Sequence, residues 1–199
     1  MNKTSSDETR ITHKVKRSEF IAIINPIFSQ IEFQTFLKGA RKEFHNARHI
    51  CWAYRFIDGE FMENSSDAGE PSGTAGQPIL NTLRKYQAVQ TAIVVVRYFG
   101  GIELGKKGLM EAYTAAAEKL CFKVQWKEWI ETETIVITGD YKSAGKIKYW
   151  MTQHHGKQIK DSSSDRLRWV IDVPRHTNYE GLAHLNVEIK KEAGTKPRR

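Results

Sequence analysis

The feature that most constrains the fold is the unbroken apolar run inside residues 91–98, TAIVVVRY. Strands buried on both faces appear as near-continuous Val/Ile runs, because neither face meets water. The apolar part extends only from Ala92 to Val96, where Arg97 ends it. A membrane-spanning helix needs about 18–20 apolar residues. We therefore predict a strand at 91–98 that is buried on both faces, and no membrane-spanning helix.

A second strand, at residues 49–57, is indicated by strict alternation, because successive side chains of a strand point to opposite faces. One face carries Ile50, Trp52, Tyr54 and Phe56, and the other His49, Cys51, Ala53 and Arg55. Asp58-Gly59 is a turn signal that predicts a hairpin returning through residues 60–63. This pattern is typical of a sheet with a core on at least one side.

Helices are predicted by local start signals and 3.6-residue periodicity. After a strand at residues 20–26, Ser29 and Glu32 form a capping-box pattern that begins one helix. Its apolar stripe comprises Ile31, Phe33, Phe36, Leu37, Ala40 and Phe44. Two further helices are predicted at residues 78–86 and 109–122.

A second unit begins after residue 130. Strands at 133–139, 157–163, 166–173 and 187–189 alternate with helices at 141–154 and 178–185, and Leu167, Trp169, Ile171 and Val173 share one strand face. The order βαββαβ is that of a ferredoxin-like unit, a split βαβ. We therefore predict an α+β protein with domains at residues 10–125 and 130–192.

Composition narrows the class of partner. The formal net charge is +8 and the isoelectric point about 9.4, which favours polyanions through phosphate contacts. A solvated basic surface without nucleic acid is the alternative. Part of the excess lies in residues 190–199, where we expect the tail to fray. With two cysteines and a polar N-terminal segment, we expect a cytoplasmic protein without a membrane partner.

The first candidate site is the segment GGIELGKK, residues 100–107, between a buried strand and a helix. Its spacing, G-x-x-x-x-G-K, matches a phosphate-binding loop, in which backbone N–H groups and a helix N-terminus face an anion. Lys107 stands where the motif requires Ser or Thr to hold magnesium. The candidate residues are Gly100, Gly101, Gly105, Lys106 and Lys107. They indicate either contact with an RNA phosphate or a structural glycine turn with solvated lysines.

The second candidate site is DAGEPSGTAG, residues 67–76. Its residues of interest are Asp67, Glu70, Ser72, Gly73, Thr74 and Gly76. Two carboxylates beside glycines permit acid–base chemistry or metal binding. The structural interpretation is a tight connection, with Thr74 and Gln77 capping the following helix.

The third candidate site contains His45, His49 and Cys51. The histidine spacing suits a metal only on a helix, and here it spans a loop and the start of a strand. Cys51 and His49 share a strand face, but such neighbours lie about 7 Å apart at Cα. That distance exceeds what a nucleophile and its base require. A packed strand cysteine is the alternative.

Four ordered segments together resemble the signature of the IMPACT/YigZ family over residues 10–122. They are AxHxCWAYR (47–55), SDAGEPSGTAGQPIL (66–80), VVVRYFGGIELG (94–105) and GLMEAY (108–113). The resemblance implies an N-terminal fold like the RNA-binding domain shared by a small-subunit ribosomal protein and elongation factor G, where it is domain IV. It also implies a C-terminal domain similar to the last domain of that factor.

The resemblance implies association with RNA or the ribosome and assigns no chemical reaction. Eukaryotic members regulate translation initiation under amino-acid starvation with an additional N-terminal module, and we expect this chain to be a bacterial-type member without it. We expect a non-catalytic protein that associates with RNA or the ribosome and modulates translation, with no cofactor, metal or DNA specificity. Protein partners stay open. The alternatives are a small-molecule enzyme using Glu70, Asp67 and Cys51, or a protein-interaction module without nucleic acid.

The candidate RNA contacts lie in or beside these four segments. Arg97, Lys106 and Lys107 are the first candidates for phosphate contact, with Arg55 and Tyr98 as secondary ones. Tyr98 and Phe99 offer rings for base stacking. The family pattern LGTGGLVRAY appears here as LGKKGLMEAY. Two added lysines are therefore partly offset by Glu111, which stands where an arginine is expected.

Overall fold

The computed structural model describes residues 2–192. Its internal contacts divide the chain into two units, with the division between Trp129 and Ile130. The tail for which we expected fraying lies, beyond residue 192, outside the described residues. Both units mix strands and helices, so the prediction of a two-unit α+β protein is confirmed.

The larger unit is built on a five-stranded antiparallel sheet of order β2-β3-β6-β4-β5. Its elements are β1 (Lys3–Ser5), β2 (Thr9–Val15), β3 (Ser18–Pro26), α1 (Gln30–Glu43), β4 (His49–Asp58), β5 (Glu60–Ser66), α2 (Gly76–Lys85), β6 (Thr91–Tyr98), α3 (Gly105–Lys123) and β7 (Trp126–Glu128).

Strand β6 lies at the centre of this sheet. Its burial on both faces confirms the prediction made from its apolar run. Ile93 and Val95 pack into a core with α2 and α3, whereas Val94 and Val96 pack with α1. The alternation predicted for β4 is also confirmed. Its aromatic face joins the α1 core, and Cys51 joins the core beneath α2 and α3.

Helix α1 begins as the capping-box pattern predicts. The N–H of Glu32 donates to Ser29 Oγ over 3.2 Å, and Glu32 Oε2 accepts from the N–H of Phe28 over 3.0 Å. The carboxylate thus reaches one residue further back than the standard box. Ile31, expected on the apolar stripe, is 75% exposed, because it lies on the opposite side from the buried Phe33 and Leu37.

A second, two-stranded sheet pairs β1 with β7. The sequence analysis did not predict it, because each strand has only three residues and little apolar character. The N–H of Trp129 also donates to the carbonyl of Asn2 over 2.9 Å. The two ends of the larger unit are therefore joined by backbone hydrogen bonds.

The smaller unit has a four-stranded antiparallel sheet of order β11-β8-β10-β9. Its elements are β8 (Thr132–Gly139), a 3-10 turn (Tyr141–Ser143), α4 (Ala144–Gln153), β9 (Lys157–Asp161), β10 (Leu167–Pro174), a second 3-10 turn (Glu180–Leu182) and β11 (Val187–Lys191).

This strand order is that of a split βαβ unit, in agreement with the predicted βαββαβ succession. Leu167, Trp169, Ile171 and Val173 are all buried and share one face of β10, as the alternation indicates. The helix predicted at 178–185 is wrong in length, because only Glu180–Leu182 is helical. Within residues 2–192, no helix combines the length and the apolar character needed to cross a membrane.

Candidate functional site

The glycine-rich loop at residues 67–76 is organised by the carboxylate of Asp67. Oδ1 accepts from the N–H groups of Ala75 and Gly76, and Oδ2 from Gly73, each over 2.8 Å. Partial burial acts to raise the pKa of Asp67, but these three N–H donors outweigh it and hold the pKa below its usual range. Asp67 therefore caps the N-terminus of α2.

The remaining loop residues support the same connection. A Cβ on Gly76 would lie 2.7 Å from the backbone of Ser66, so only glycine fits. Gly73 has a φ of +76°, which favours glycine as well. Thr74 Oγ1 donates to the carbonyl of Pro71 over 2.6 Å. The expected cap by Thr74 and Gln77 is thus replaced by Asp67, and Ser72 is exposed.

Arg97 and Glu70 form a buried ion pair above this loop. Arg97 Nη1 donates to both carboxylate oxygens, over 2.8 and 3.1 Å, and the two side chains are 7% and 3% exposed. The guanidinium also lies over the rings of Phe20 and Phe99. Arg97, for which we expected a phosphate contact, is thus engaged by Glu70 in a buried ion pair.

Tyr113 and Cys51 extend the buried pair into a network. Tyr113 Oη donates to Glu70 Oε1 over 2.8 Å, and Cys51 Sγ lies 3.0 Å from the carbonyl oxygen of Asp67. Burial is the main cause that raises the pKa of Cys51, to about 12, and it also raises the pKa of Tyr113. The thiol is consequently protonated at neutral pH, which makes it a poor nucleophile.

The three residues of the His/Cys candidate do not work as one group. His49 Nδ1 lies 2.9 Å from the carbonyl oxygen of Ala68, so it carries a proton and donates. Cys51 instead contacts Asp67 and Tyr113, and His45 is exposed. In the part of the chain that the structure describes, no group of three or more His, Cys, Asp or Glu side chains is placed to hold a metal ion.

The β6–α3 loop is shorter than the sequence predicts, because helix α3 begins earlier. Helix α3 begins at Gly105, four residues earlier than expected, so Lys106 and Lys107 lie in its first turn. Both lysines are exposed, and Lys107 Nζ lies 3.9 Å from Glu111. Gly101 has a φ of +83°, and a Cβ on Gly100 would overlap the backbone of Arg17 at 2.0 Å. Glycine is therefore required where this loop meets the β2–β3 turn.

A cavity of about 420 Å³ opens between the two glycine segments. Its lining includes the buried Arg97 and Glu70, the half-buried His49, and the exposed Arg48 and Lys106. Phe99, which is 57% exposed, is also part of the wall. The cavity thus presents cations and an accessible ring at its surface, with one exposed carboxylate, Glu103.

Five exposed cations lie around the β6–α3 loop and the start of α3. We call them the basic rim: Lys16, Arg17, Arg48, Lys106 and Lys107. Lys16 and Lys107 line one neighbouring depression, and Arg17 contacts the loop at Gly100. Arg48 and Lys106 line the cavity described above. Sequence reasoning missed Lys16, Arg17 and Arg48, because only the tertiary fold brings them beside α3.

Two secondary candidates lie elsewhere in the sheet. Arg55 donates from Nε to Glu63 over 3.0 Å and from Nη1 to the carbonyl of Ala88 over 3.1 Å. Tyr98 packs on the α1 core, on the opposite sheet face from Arg97. The structure therefore uses Arg55 and Tyr98 in internal contacts, and neither joins the basic rim.

Fold and site define a two-unit α+β protein whose larger unit fixes a glycine-rich loop through a buried arginine–glutamate pair. The chain belongs to the IMPACT family, because the family model described as the Impact N-terminal domain matches residues 16–121. This match contains both glycine segments and confirms the resemblance found in the sequence.

Individual relatives support the same family assignment. The IMPACT family member YigZ of Escherichia coli (strain K12) is 37% identical over 151 residues, covering 75% of this chain and 74% of that protein. The IMPACT family member YvyE of Bacillus subtilis (strain 168) is 35% identical over 134 residues, covering 67% of this chain and 62% of that protein. A crystal structure of a hypothetical protein matches with a TM-score of 0.68 at 25% identity, covering 95% of this chain and 97% of the other.

Proposed function

We propose that this chain is a non-catalytic cytoplasmic protein that binds RNA of the ribosome and modulates translation under stress. The observation that carries the proposal is the basic rim. Cations from the β2–β3 turn, the segment before β4 and the start of α3 lie around one loop, next to the exposed ring of Phe99. Lysine and arginine bind phosphate oxygens without sequence preference, and aromatic rings stack on bases.

The charge of the whole chain and its family support the same proposal. A formal net charge of +8 favours association with a polyanion. The family resemblance adds folds similar to ribosome-binding domains. Lys106 and Lys107, in the first turn of α3, stay in the proposed contact set, with Gly100 and Gly101 in the preceding loop and Gly105 at the start of the helix.

The enzyme alternative receives less support from the site. Glu70 is held by Arg97 and Tyr113, and all three carboxylate contacts of Asp67 are to the backbone at the start of α2. The pKa of the Cys51 thiol, about 12, keeps it protonated. These groups are engaged in contacts that stabilise the loop, and Glu70 and Cys51 are buried, so neither offers an accessible carboxylate or thiol to a substrate.

The experiment is co-sedimentation with ribosomal particles at low salt. Wild type is compared with the double variant Arg48→Gln/Lys106→Gln, which removes two rim charges. A matched control, Lys38→Gln/Lys42→Gln, removes the same charge from exposed positions on α1, across the sheet. We expect wild type and control to sediment with one ribosomal subunit, and the rim variant to remain in the supernatant.

Two outcomes contradict the proposal. One is that wild type does not co-sediment at low salt. The other is that both double variants sediment equally, because a specific rim would then have no role. Pull-down after nuclease treatment addresses the protein-interaction alternative, since partners that survive nuclease favour that alternative over RNA.

A further inference from the structure

The cavity of about 420 Å³ beside the β6–α3 loop has a nearly buried cation in its wall. Arg97 lines this cavity, and its side chain is 7% exposed. Nη1 donates to both carboxylate oxygens of Glu70, whereas Nη2 makes no hydrogen bond within residues 2–192. Nε is enclosed by protein, but Nη2 is not among the enclosed atoms that lack a partner. The cavity therefore presents one guanidinium NH₂ group whose donors are available to a ligand.

The guanidinium of Arg97 is held in one orientation by its other contacts. Its Cζ lies 5.7 Å from the ring centroid of Phe20 and 5.5 Å from that of Phe99, so two aromatic rings flank it. Glu70 is fixed in turn by Tyr113, which donates to Oε1 over 2.8 Å. A donor that is already oriented loses little freedom on binding, so Nη2 is a pre-organised contact for an anion.

The first turn of α3 supplies further donors to the same cavity. Leu104, Gly105 and Lys106 line it, and the N-cap, Leu104, provides no side-chain hydrogen bond. In the described structure this turn, residues 105–108, contains no acidic residue. The first backbone N–H groups of a helix and the positive end of its dipole favour an anion, and here no carboxylate cap competes for them. Donors from β6 and from α3 therefore meet in one cavity.

Access and charge select the kind of anion. An internal phosphate of RNA carries a sugar on each side, so it suits cations that stand exposed on a surface, as in the basic rim. Because Arg97 is nearly buried, a group at the end of a strand reaches Nη2 more readily. A terminal phosphate also carries about −1.5 to −2 elementary charges at neutral pH, against about −1 for an internal one. The exposed Arg48 and Lys106 match that charge, and Glu103 is the exposed carboxylate among the described lining residues.

We propose that this cavity binds a phosphomonoester, the terminal phosphate of an RNA strand. Its oxygens accept from Arg97 Nη2 and from N–H groups at the start of α3, and Arg48 and Lys106 pair with its charge. A free nucleoside monophosphate shares this chemistry. The inference rests on the proposed function only for the source of the ligand, because a phosphomonoester fits the cavity whether or not the chain associates with the ribosome.

The test is isothermal titration calorimetry of the full-length chain with probes that differ only in a terminal phosphate. They are one RNA hexanucleotide with a 5′-phosphate, a 3′-phosphate or hydroxyl groups at both ends, and adenosine with or without a 5′-phosphate. We call the ratio of the affinities with and without the phosphate the phosphate preference, and we expect at least about tenfold, the scale of a hydrogen bond between charged groups. A preference with RNA assigns a strand end, and one with adenosine alone assigns a free nucleotide. No preference with either kind of probe overturns the proposal.

Two adjacent lysines provide a matched pair of variants. Lys106 lines this cavity, whereas Lys107 lines the neighbouring depression beside Lys16, and both are exposed. We expect Lys106→Gln to reduce the phosphate preference about threefold, the scale of an exposed ion pair. Lys107→Gln should leave the phosphate preference unchanged, even where it lowers the affinity for every RNA form. An equal phosphate preference in the two variants overturns the proposal.

A third variant addresses the buried donor directly. Arg97→Lys keeps a cation beside Glu70 but removes Nη2, and we expect it to abolish the phosphate preference. Circular dichroism establishes that this variant is folded, and a folded Arg97→Lys protein with the full preference overturns the proposal. If it does not fold, the comparison of Lys106→Gln with Lys107→Gln decides.

Failure of this inference is distinguishable from failure of the proposed function. A wild-type protein that co-sediments with ribosomal particles and shows no phosphate preference overturns the phosphomonoester site alone. A phosphate preference in a wild-type protein that never co-sediments supports the site and contradicts ribosome binding.

Discussion

At the residue scale, Arg97 shows how a strand that is buried on both faces accommodates a charged side chain. Period-two alternation places Arg97 on the same face as Ile93 and Val95, beneath α2 and α3. A cation there is tolerated only with a partner, because desolvation of an unpaired charge is costly. Glu70 is that partner, and it comes from the glycine-rich loop.

Removal of one member of the pair should therefore lower the free energy of unfolding substantially. We predict that Arg97→Met lowers the free energy of unfolding by about 3–5 kcal/mol, because Glu70 remains buried without its cation. The double variant Arg97→Met/Glu70→Gln should be more stable than the single one. Urea denaturation followed by circular dichroism measures both. Lys38→Met, at an exposed position, should change stability by no more than about 0.5 kcal/mol.

A loss below about 1 kcal/mol for Arg97→Met would be the value typical of an exposed ion pair, and it would contradict this account. The position of Arg97 on the buried face was available from the sequence, since alternation counts directly from Ile93. Its partner was not, because Glu70 is 27 positions away and no local pattern joins the two.

At the element scale, the start of α2 depends on a residue outside the helix. Its N-cap, Ala75, carries no polar side chain, and Asp67 supplies the missing acceptor from across the loop. A cap of this kind escapes a local scan, because the capping box examines residues three apart. The local pattern of Thr74 and Gln77 predicted that they cap α2, and this prediction is wrong.

The pKa of Asp67 gives this cap a pH dependence. Its folded pKa is lower than the unfolded value of about 3.9, so its stabilisation is present above that value and is lost as pH falls through the folded pKa. We predict that Asp67→Asn costs about 1.5–3 kcal/mol at neutral pH, from hydrogen bonds to a charged acceptor. The difference from wild type should shrink at pH values below about 4.

Urea denaturation at neutral and acidic pH measures this difference. Asp140→Asn is the control, because Asp140 is exposed. A stability difference between wild type and Asp67→Asn that stays constant from neutral to strongly acidic pH would argue against a charged cap. So would an equal loss of stability in the Asp140 variant.

Strands were easier to predict than helix starts for a physical reason. The alternation in β4 and the apolar run in β6 reflect burial of every second or every residue, so their ends are marked by the sequence itself. Helix α3 begins at Gly105 behind an uncapped Leu104, and no side-chain signal marks that position. Lys106 and Lys107 were accordingly assigned to a loop.

At the scale of the whole molecule, the basic rim is a product of the fold. Lys16 is separated from Lys107 by most of the larger unit in sequence, yet the two line one depression, and the neighbouring Arg17 lies against Gly100 of the β6–α3 loop. The sequence predicted the two-unit α+β architecture from periodicity. It could not predict which lysines converge, because exposed cations leave no periodic pattern.

The proposed binding of RNA by the basic rim predicts a definite dependence of affinity on salt concentration. The logarithm of the affinity for purified ribosomal RNA should fall linearly with the logarithm of salt concentration, by about 0.7 per single-strand phosphate that the rim neutralises. Removing Arg48 and Lys106 should reduce the slope by about 0.7 for each phosphate left without its cation, because fewer counterions are released. Filter binding across a salt series measures the slopes. Lys38→Gln/Lys42→Gln should keep the wild-type slope, and an affinity insensitive to salt would contradict phosphate binding by the rim.

The pairing of Lys3–Ser5 with Trp126–Glu128 has a consequence for synthesis. Strand β1 pairs with β7, which is synthesised last in the larger unit. This small sheet therefore forms only after residue 128 has left the ribosomal tunnel. Until then the edge of β1 that faces β7 is unpaired, whereas Lys3 can already bond to the backbone of Gln87 and Val89. In a circular permutant of the larger unit alone, with Trp129 joined to Asn2, β7 and β1 would follow one another along the chain, so their pairing would no longer depend on synthesis of the whole unit.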